Sequence, residues 1–384
     1  MKIGQFSDSF LPIIDGVGRV VYNYCNTIAR KGHECTAVVP LDQYGYRARY
    51  PFEIIDYYAK KVPIMSQYDA GLPPFDIHYN ARMDMTSFDI VHVHTPFIAG
   101  FEGIKYARDR KIPIVGTFHS KYYDDFLQMT GSKSMAHIGT DMVIQFFNHC
   151  DEVWAVSESS GETLRSYGYK GELKIMPNGM DIKTVDPSWK EEAREYFNIP
   201  SGRPCLLFVG QINWKKNILR ILEAASLLKK DGTDFSLILA GKGPHEKEIQ
   251  DKIKELDIED RTYMIGLVLK EQLLYGLYSL ADLFIFPSIY DNAPMVVREA
   301  ANAGTPSIVI EGSSSAEIIE NNVSGFCCED DSESLFETMK ENLKDLDRTA
   351  MIGATARNTI LTGWDEIIDM VLEEYQRLID EHQK

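Results

Sequence analysis

Two carboxylates, Asp291 and Glu299, stand with seven residues between them in the stretch Pro287-Ser288-Ile289-Tyr290-Asp291-Asn292-Ala293-Pro294-Met295-Val296-Val297-Arg298-Glu299-Ala300. Proline is accommodated in the first turn of a helix, where its missing N–H is one the helix leaves unpaired anyway. Pro294 therefore predicts a helix start whose free amides and dipole attract an anion. Carboxylates accept hydrogen bonds from hydroxyls, so Asp291 before the turn and Glu299 inside it could hold a hydroxyl-rich ligand at two depths of one pocket. The same spacing fits a helix cap at Asp291 and an ordinary surface carboxylate at Glu299.

Basic and glycine-rich loops follow other apolar runs. Gly210-Gln211-Ile212-Asn213-Trp214-Lys215-Lys216-Asn217 carries two lysines that could neutralise a diphosphate or simply solvate a helix start. In Gly241-Lys242-Gly243-Pro244, two glycines permit a turn that approaches a phosphate or a base closely, or merely a turn. Asp15-Gly16-Val17-Gly18-Arg19 opens a helical pattern near the amino terminus. A dinucleotide fingerprint would need a third glycine where this chain has Val21, which disfavours nicotinamide or flavin and leaves either an anion-binding amide pair at Gly16 and Gly18 or a tight turn. His92 and His94 share one face of a predicted strand, and His119 ends the next. Zinc uses such residues, but no acidic or cysteine ligand accompanies them at useful spacing, so no metal and no cofactor are expected. His119, before Ser120-Lys121-Tyr122, is instead placed to line a cleft. No Ser/His/Asp or Cys/His arrangement for nucleophilic catalysis is legible.

Loops of this kind need strand ends to hold them. Apolar runs at 2–6, 36–40, 90–94, 113–118, 152–156 and 173–176 read as buried strands, separated by helical periodicity at 17–31, 100–110, 136–149 and 159–167. A polar stretch at 181–204 interrupts the pattern as a linker. The alternation then restarts, with strands at 205–209, 236–240, 262–265, 283–287 and 307–310 and helices at 217–230, 245–256, 270–280 and 295–303. Such alternation belongs to parallel α/β sheets, whose ligands bind beyond the carboxyl ends of the strands. Trp364, Ile367, Ile368, Val371, Leu372, Tyr375, Leu378 and Ile379 line one face of a last helix that must pack on something.

Length and composition agree with this organisation. A chain of 384 residues with 44% hydrophobic and 25% charged residues fits two ordinary globular domains. The net charge of -17 excludes a nucleic-acid partner, and it is uneven: residues 1–180 hold 18 Lys+Arg against 20 Asp+Glu, while 181–384 hold 22 against 37. Only the first half could approach an anionic surface. The amino terminus turns polar at Ser7-Asp8-Ser9, too early for a signal peptide, and no apolar run reaches the roughly 18 residues of a spanning helix, so a cytoplasmic protein is expected. Cys25, Cys35, Cys150, Cys205, Cys327 and Cys328 show no C-x-x-C spacing and read as small buried hydrophobes.

Jointly these motifs resemble the retaining glycosyltransferases of family 4 over nearly the whole chain. The paired acids followed by Ala300, Gly304-Thr305-Pro306 and Asn321-Asn322-Val323-Ser324-Gly325 carry the likeness, with Phe208-Val209-Gly210, Lys216-Asn217, Gly241-Lys242-Gly243-Pro244, Pro177-Asn178-Gly179 and Gly32-His33. The resemblance implies an α/β chain of GT-B architecture: two facing Rossmann-like domains, with a C-terminal helix crossing back to the first. Residues 1–180 would bind the acceptor, 181–204 link, 205–363 bind the nucleotide sugar, and 364–384 form the crossing helix.

It also implies roles. Lys216 would bind the donor diphosphate, Glu299 the ribose, Asp291 the transferred sugar, and the Met295 and Val296 amides a phosphate. Gly16 and Gly18 would approach the donor from the other domain, Gly241 and Gly243 would contact base or phosphate, and His119 would stand beside the reacting carbon. UDP is the family's commonest carrier, and the family retains anomeric configuration by front-face displacement, with no metal required. Two departures stand out. Gln211 occupies the place of an arginine that normally accompanies the lysine, so Lys215 or another basic group must compensate or turnover is slow. The first acid is Asp291 rather than glutamate, followed by Asn292 rather than glycine. Asp15-Gly16-Val17, the run His92-Val93-His94-Thr95-Pro96-Phe97-Ile98-Ala99-Gly100 and Gly116-Thr117-Phe118-His119-Ser120 most resemble bacterial diacylglycerol glucosyltransferases, which makes a membrane glycerolipid the leading acceptor. Tyr44, Tyr46, Arg47, Arg49, Tyr50, Tyr57, Tyr58, Lys60 and Lys61 then read as a peripheral membrane contact or as an ordinary loop and edge strand. The alternatives are a soluble or saccharide acceptor and a nucleotide-sugar-binding protein with little turnover.

Overall fold

Valine-, isoleucine- and phenylalanine-rich runs suit strands covered on both faces, and the strands form there. The computed structural model describes residues 1–12, 16–41, 49–62, 65–291 and 294–384, the side chains of 61–70 apart. The chain divides into two units, Met1–Gly179 with Gly363–Lys384 and Met180–Thr362.

The first unit contains β1 (Lys2–Phe6), β2 (Glu34–Pro40), β3 (Glu53–Tyr57), β4 (Ala59–Val62), β5 (Met65–Gly71), β6 (Ile90–Val93), β7 (Ile114–Phe118), β8 (Glu152–Ala155) and β9 (Leu173–Ile175). Seven of them form a parallel sheet in the order β3-β2-β1-β6-β7-β8-β9, while β4 and β5 pair antiparallel. The winding direction reverses between β1 and β6, which opens a crevice at their carboxyl ends. One face of the sheet is covered by helix Gly16–Arg30 and the last helix, Trp364–His382, whose Ile367, Ile368, Val371 and Tyr375 are buried with Ile3, Tyr24, Val115 and Trp154. The helix with the apolar stripe thus packs on the first unit. Gly179 makes room for it, since a Cβ there would lie 2.7 Å from the Trp364 Cα. Phe6, Val91, Val93, Ile104, Phe118, Phe146 and Phe147 fill the opposite face.

In the second unit β10 (Cys205–Val209), β11 (Ser236–Ala240), β12 (Thr262–Gly266), β13 (Leu283–Phe286), β14 (Ser307–Ile310) and β15 (Phe326–Cys328) form a parallel sheet ordered β12-β11-β10-β13-β14-β15. Its reversal lies between β10 and β13.

Several elements differ from expectation. β3 is a seventh strand of the first sheet; its sequence Glu-Ile-Ile-Asp-Tyr buries Ile55 and Tyr57 on an edge strand and lacks a continuous apolar run. Residues 181–204, expected as a linker, carry helix Ser188–Tyr196, which packs on helix Glu271–Leu280 with buried Ala193 against Gly276. Polar residues predominate there because only one narrow side of that helix is buried. Cys25, Cys35, Cys205 and Cys328 are buried thiols, and no disulfide joins the six cysteines.

Of the aromatic and basic stretch, Tyr44, Tyr46 and Arg47 lie outside the described residues, as do Asp15 and Asn292. Tyr57 is buried in the core and Tyr50 packs against Phe10, Tyr22 and Phe52, so neither is offered to a membrane. Arg49, Tyr58 and Lys60 are exposed. Among the described residues no helix is long and apolar enough to cross a membrane.

Candidate active site

At the second unit's switch point, β10 and β13 lie side by side and their following loops carry Lys216 and Asp291. The loop after β10 makes a single helical turn, Trp214–Lys216, in which the Asn213 side chain accepts from the Lys215 amide (3.1 Å). Asn217 leaves the turn in a left-handed conformation (φ 59°) and donates to the Pro287 carbonyl (3.2 Å), tying the two loops together. Lys216 Nζ then meets Asp291 Oδ1 at 2.6 Å, with 16% and 22% of the two side chains exposed. Burial of this degree limits screening of the pair.

Asp291 is no helix cap. Helix Met295–Asn302 starts at the expected residue, with Pro294 as its N-cap (ψ 117°) and no side-chain cap. Met295 and Val296 therefore supply the first backbone amides, which a helix leaves without intrahelical acceptors. Nor is Glu299 a solvated surface carboxylate: buried Tyr278 donates to its Oε2 at 2.9 Å. Burial first, and the Glu299 charge second, hold the Tyr278 hydroxyl well above its usual pKa, so it remains a donor.

Around Asp291 lie atoms that sequence reasoning passed over. Asp291 Oδ2 and the hydroxyls of Ser288, Ser313 and Ser315 are buried without a hydrogen-bond partner among the described residues, while Ser314 donates to the Asp291 carbonyl. Buried polar atoms are normally satisfied, so these four are unmet hydrogen-bonding groups on the segments after β13 and β14. The run Ser313-Ser314-Ser315 after β14 was the signal available in the sequence. Arg298, beside Glu299, is a second missed group; burial lowers its pKa.

The glycines divide into two kinds. A Cβ on Gly241 (φ 145°) would meet the Gly210 carbonyl oxygen at 1.8 Å, and one on Gly243 would meet the Ile212 oxygen at 2.2 Å. Both amides are engaged, Gly241 donating to Gly266 O (2.8 Å) and Gly243 to Glu246 Oε1 (2.9 Å). Internal packing thus explains these two glycines without a ligand. Gly16 is the opposite case: it begins helix Gly16–Arg30 exposed, and its Cβ would meet nothing within 4 Å, while Gly18 is buried. Gln211 is exposed, and Lys215 lies 5.0 Å from the Tyr290 ring.

In the first unit His119 directly follows β7 and joins a buried polar network. His94 Nδ1 is 3.1 Å from His119 Nε2 and His94 Nε2 is 2.7 Å from Gln5 Oε1. Gln5 Nε2 donates to Tyr375 OH at 3.1 Å; Tyr375 OH is 2.5 Å from His92 Nδ1, and His92 Nε2 is 2.6 Å from Thr117 Oγ1. Both nitrogens of His92 and of His94 are engaged by protein, so neither is offered to zinc. Burial lowers all three imidazole pKa values, that of His119 to about 4, leaving them uncharged near neutrality. At this unit's switch point sits Asp8, also unforeseen. It accepts from Thr95 Oγ1 (2.6 Å), the Ala99 amide (2.9 Å) and Tyr57 OH (3.2 Å), and burial raises its pKa to about 6.

Two parallel α/β units, one with paired acids and a lysine grouped at a helix start, define a glycosyltransferase of GT-B type. Residues 14–184 match the model of Glycosyltransferase Family 4 and residues 190–359 that of Glycosyl transferases group 1, and the chain belongs to family 4. An alpha-monoglucosyldiacylglycerol synthase of Streptococcus pneumoniae is 26% identical over 80% of this chain and 70% of its own. A GDP-mannose-dependent alpha-mannosyltransferase of Corynebacterium glutamicum is 23% identical over 99% and 89%. The fold is shared with the Anabaena protein HepE, solved in complex with UDP (TM-score 0.77, 17% identity, 98% of this chain and all of that one).

Proposed function

We propose that this chain moves a hexose, with retention of configuration and without a metal, from a UDP-sugar to a membrane glycerolipid. The observation that carries the donor reading is the Lys216–Asp291 pair a few residues before the helix that begins at Met295, with Asp291 Oδ2 buried and unpartnered. Breaking the sugar–phosphate bond leaves negative charge on the diphosphate, which Lys216 and the helix start stabilise. Asp291 Oδ2 accepts a hydroxyl of the transferred sugar, and Glu299, with one oxygen held by Tyr278, accepts a ribose hydroxyl. The acceptor oxygen bonds to the anomeric carbon on the face the phosphate leaves, and its proton passes to the departing phosphate oxygen. No side-chain nucleophile is needed; positioning and leaving-group electrostatics supply the rate.

The lipid acceptor is supported by the likeness to the pneumococcal synthase and by exposed apolar residues in the first unit. Leu72, Phe75 and Ile77, close together in the chain, are 58%, 83% and 82% exposed. A second reading, guanosine carrier and mannose, is favoured by the mannosyltransferase relative that spans nearly the full chain. A soluble or saccharide acceptor, or binding with little turnover given Gln211, are the remaining outcomes.

A thermal-shift screen across nucleotide sugars tests the donor, since a ligand at about 100 times its Kd stabilises by roughly 2.7 kcal/mol. UDP-sugars should shift the transition and Glu299→Ala should abolish the shift. A response to GDP-mannose alone replaces the carrier, and none at all sinks the donor reading. Incorporation of labelled sugar into a lipid extract tests the acceptor; transfer only to water-soluble products overturns it.

A further inference from the structure

The chain leaves β1 and β6 toward opposite faces of the first sheet, and one carboxylate holds the two exits together. Phe6 pairs with Val93 at the ends of these neighbouring strands, and Asp8 and Thr95 each stand two residues beyond. The next helix after β1, Gly16–Arg30, packs on one face; the next after β6, Ile98–Arg110, packs on the other. The ladder ends with the His94 amide donating to the Phe6 carbonyl (2.9 Å), so the segments beyond it need another tie. Thr95 Oγ1 supplies one at both ends of a single residue: it accepts from the Asp8 amide at 2.9 Å and donates to Asp8 Oδ2 at 2.6 Å. Asp8 Oδ1 accepts from the Ala99 amide at 2.9 Å and from the Tyr57 hydroxyl, at the end of β3, at 3.2 Å.

Ala99 lies in the first turn of helix Ile98–Arg110, whose N-cap residue, Phe97, makes no side-chain cap. A helix leaves its first amides unpaired, and a carboxylate placed there satisfies one of them and complements the dipole. Asp8 therefore caps this helix from 91 residues away in the chain. The turn before it is tight, since a Cβ on Gly100 would lie 2.0 Å from the Thr95 carbonyl oxygen. Asp8, Thr95, Ala99 and Tyr57 are all buried, so removing the carboxylate strands donors away from water. We infer that Asp8 is a positioning residue for acceptor binding: a clasp between the segments after β1 and β6, and a remote cap on the helix that follows, which together fix the shape of the first unit's crevice. Ligands of such sheets bind beyond the strand ends where the winding reverses, and Thr95 follows His94, which contacts His119. The carboxylate acts through these segments and touches no ligand itself. Its link to the acceptor rests on the proposed acceptor role of the first unit.

Hydrogen exchange of the full chain over residues 97–101 reads the clasp. Asp8→Ala should speed exchange there about tenfold, and Asp8→Asn, which keeps an accepting oxygen for Ala99, should restore most of the protection. Transfer of labelled sugar from UDP-glucose or GDP-mannose, whichever shifts the melting transition, to dioleoylglycerol in mixed micelles reads the function. Asp8→Ala should raise the acceptor KM about tenfold, with rescue by Asp8→Asn, while the donor KM, set in the second unit, stays where it is. Thr95→Val breaks the clasp without touching the carboxylate and should raise the acceptor KM as well, which covers the case that Asp8→Ala does not fold. The double variant should be no worse than Asp8→Ala alone, because both act through one contact. A folded Asp8→Ala with unchanged exchange over 97–101 overturns the clasp. An unchanged acceptor KM, or donor and acceptor KM rising together, overturns the positioning role. If the wild type transfers only to water-soluble acceptors, the lipid reading falls and the same split of KM values is read on that acceptor; if it transfers to nothing, the positioning role falls with the proposed function and exchange alone decides the clasp.

Discussion

In the second unit the strand ends at the switch point hold an ion pair, Lys216 with Asp291, flanked by orphaned hydroxyls and a carboxylate held by tyrosine. In the first unit the corresponding strand ends hold Asp8 among hydroxyl and amide donors, and imidazoles that burial keeps uncharged. One sheet architecture thus supports two kinds of polar site. A charged pair with an unmet oxygen is suited to a charged ligand that develops more charge as it reacts. A closed row of neutral hydrogen bonds is suited to holding one side chain in one protonation state, because burying an uncompensated charge there would be costly.

The largest effect should come from acid, and only in the first unit. His92, His94 and His119 have folded pKa values below the ordinary 6.5, so their stabilisation is complete above that pH and is lost as the pH falls toward the folded values, about 4 for His119. Asp8 runs the other way. Its folded value of about 6 lies above 3.8, so its contribution is complete below pH 3.8 and about 3 kcal/mol of it is lost as the pH rises through 6. Three groups outweigh one, and amide exchange in β6 should slow from pH 4.5 to 7 after correction for intrinsic rates. Asp8→Asn removes the opposing contribution and should make the rise steeper. A stability that is flat across this range would erase the contrast between the units.

Next in size is Lys216→Ala, which removes the fixed positive charge and leaves Asp291 without its partner at the proposed diphosphate site. Loss of one such stabiliser lowers kcat by about 10² to 10³. Measured transfer or donor hydrolysis within threefold of wild type would move the leaving-group site elsewhere.

Much of this was legible before the fold. The parallel-sheet class followed from apolar runs alternating with helical periods, and the last helix was readable from its stripe because 3.6-residue spacing survives without tertiary information. The paired acids and Lys216 were readable by motif, although their mutual ion pair was not, since the two residues lie 75 positions apart and meet only because β10 neighbours β13. Asp8, Gln5, Tyr375 and Tyr278 were missed for a related reason: a lone polar residue in an apolar pattern looks the same whether it is exposed or is satisfied by a distant strand. β3 escaped because an edge strand in which Glu53 and Asp56 break up the apolar run resembles a loop. Gly241 and Gly243 carried a ligand reading that backbone crowding accounts for equally well. Sequence spacing does not distinguish close approach to a phosphate from close approach to another carbonyl.

The smallest effect, and the one that bears most directly on the second unit's charge, concerns Gln211. This exposed side chain follows β10 in the loop that also carries Lys216, where the family resemblance implies an arginine. Asp291 already offsets the Lys216 charge, so at the proposed site a diphosphate would meet less positive potential than a lone lysine would offer. Gln211→Arg restores a planar donor suited to phosphate, and a charge-assisted hydrogen bond of this type is worth about 1.5 to 3 kcal/mol. Because the arginine acts most strongly on charge that develops as the bond breaks, kcat should rise about tenfold while donor KM moves little. If KM alone improves, the new charge binds the ground state, and the loop after β10 is a docking element for the diphosphate and not a stabiliser of its departure.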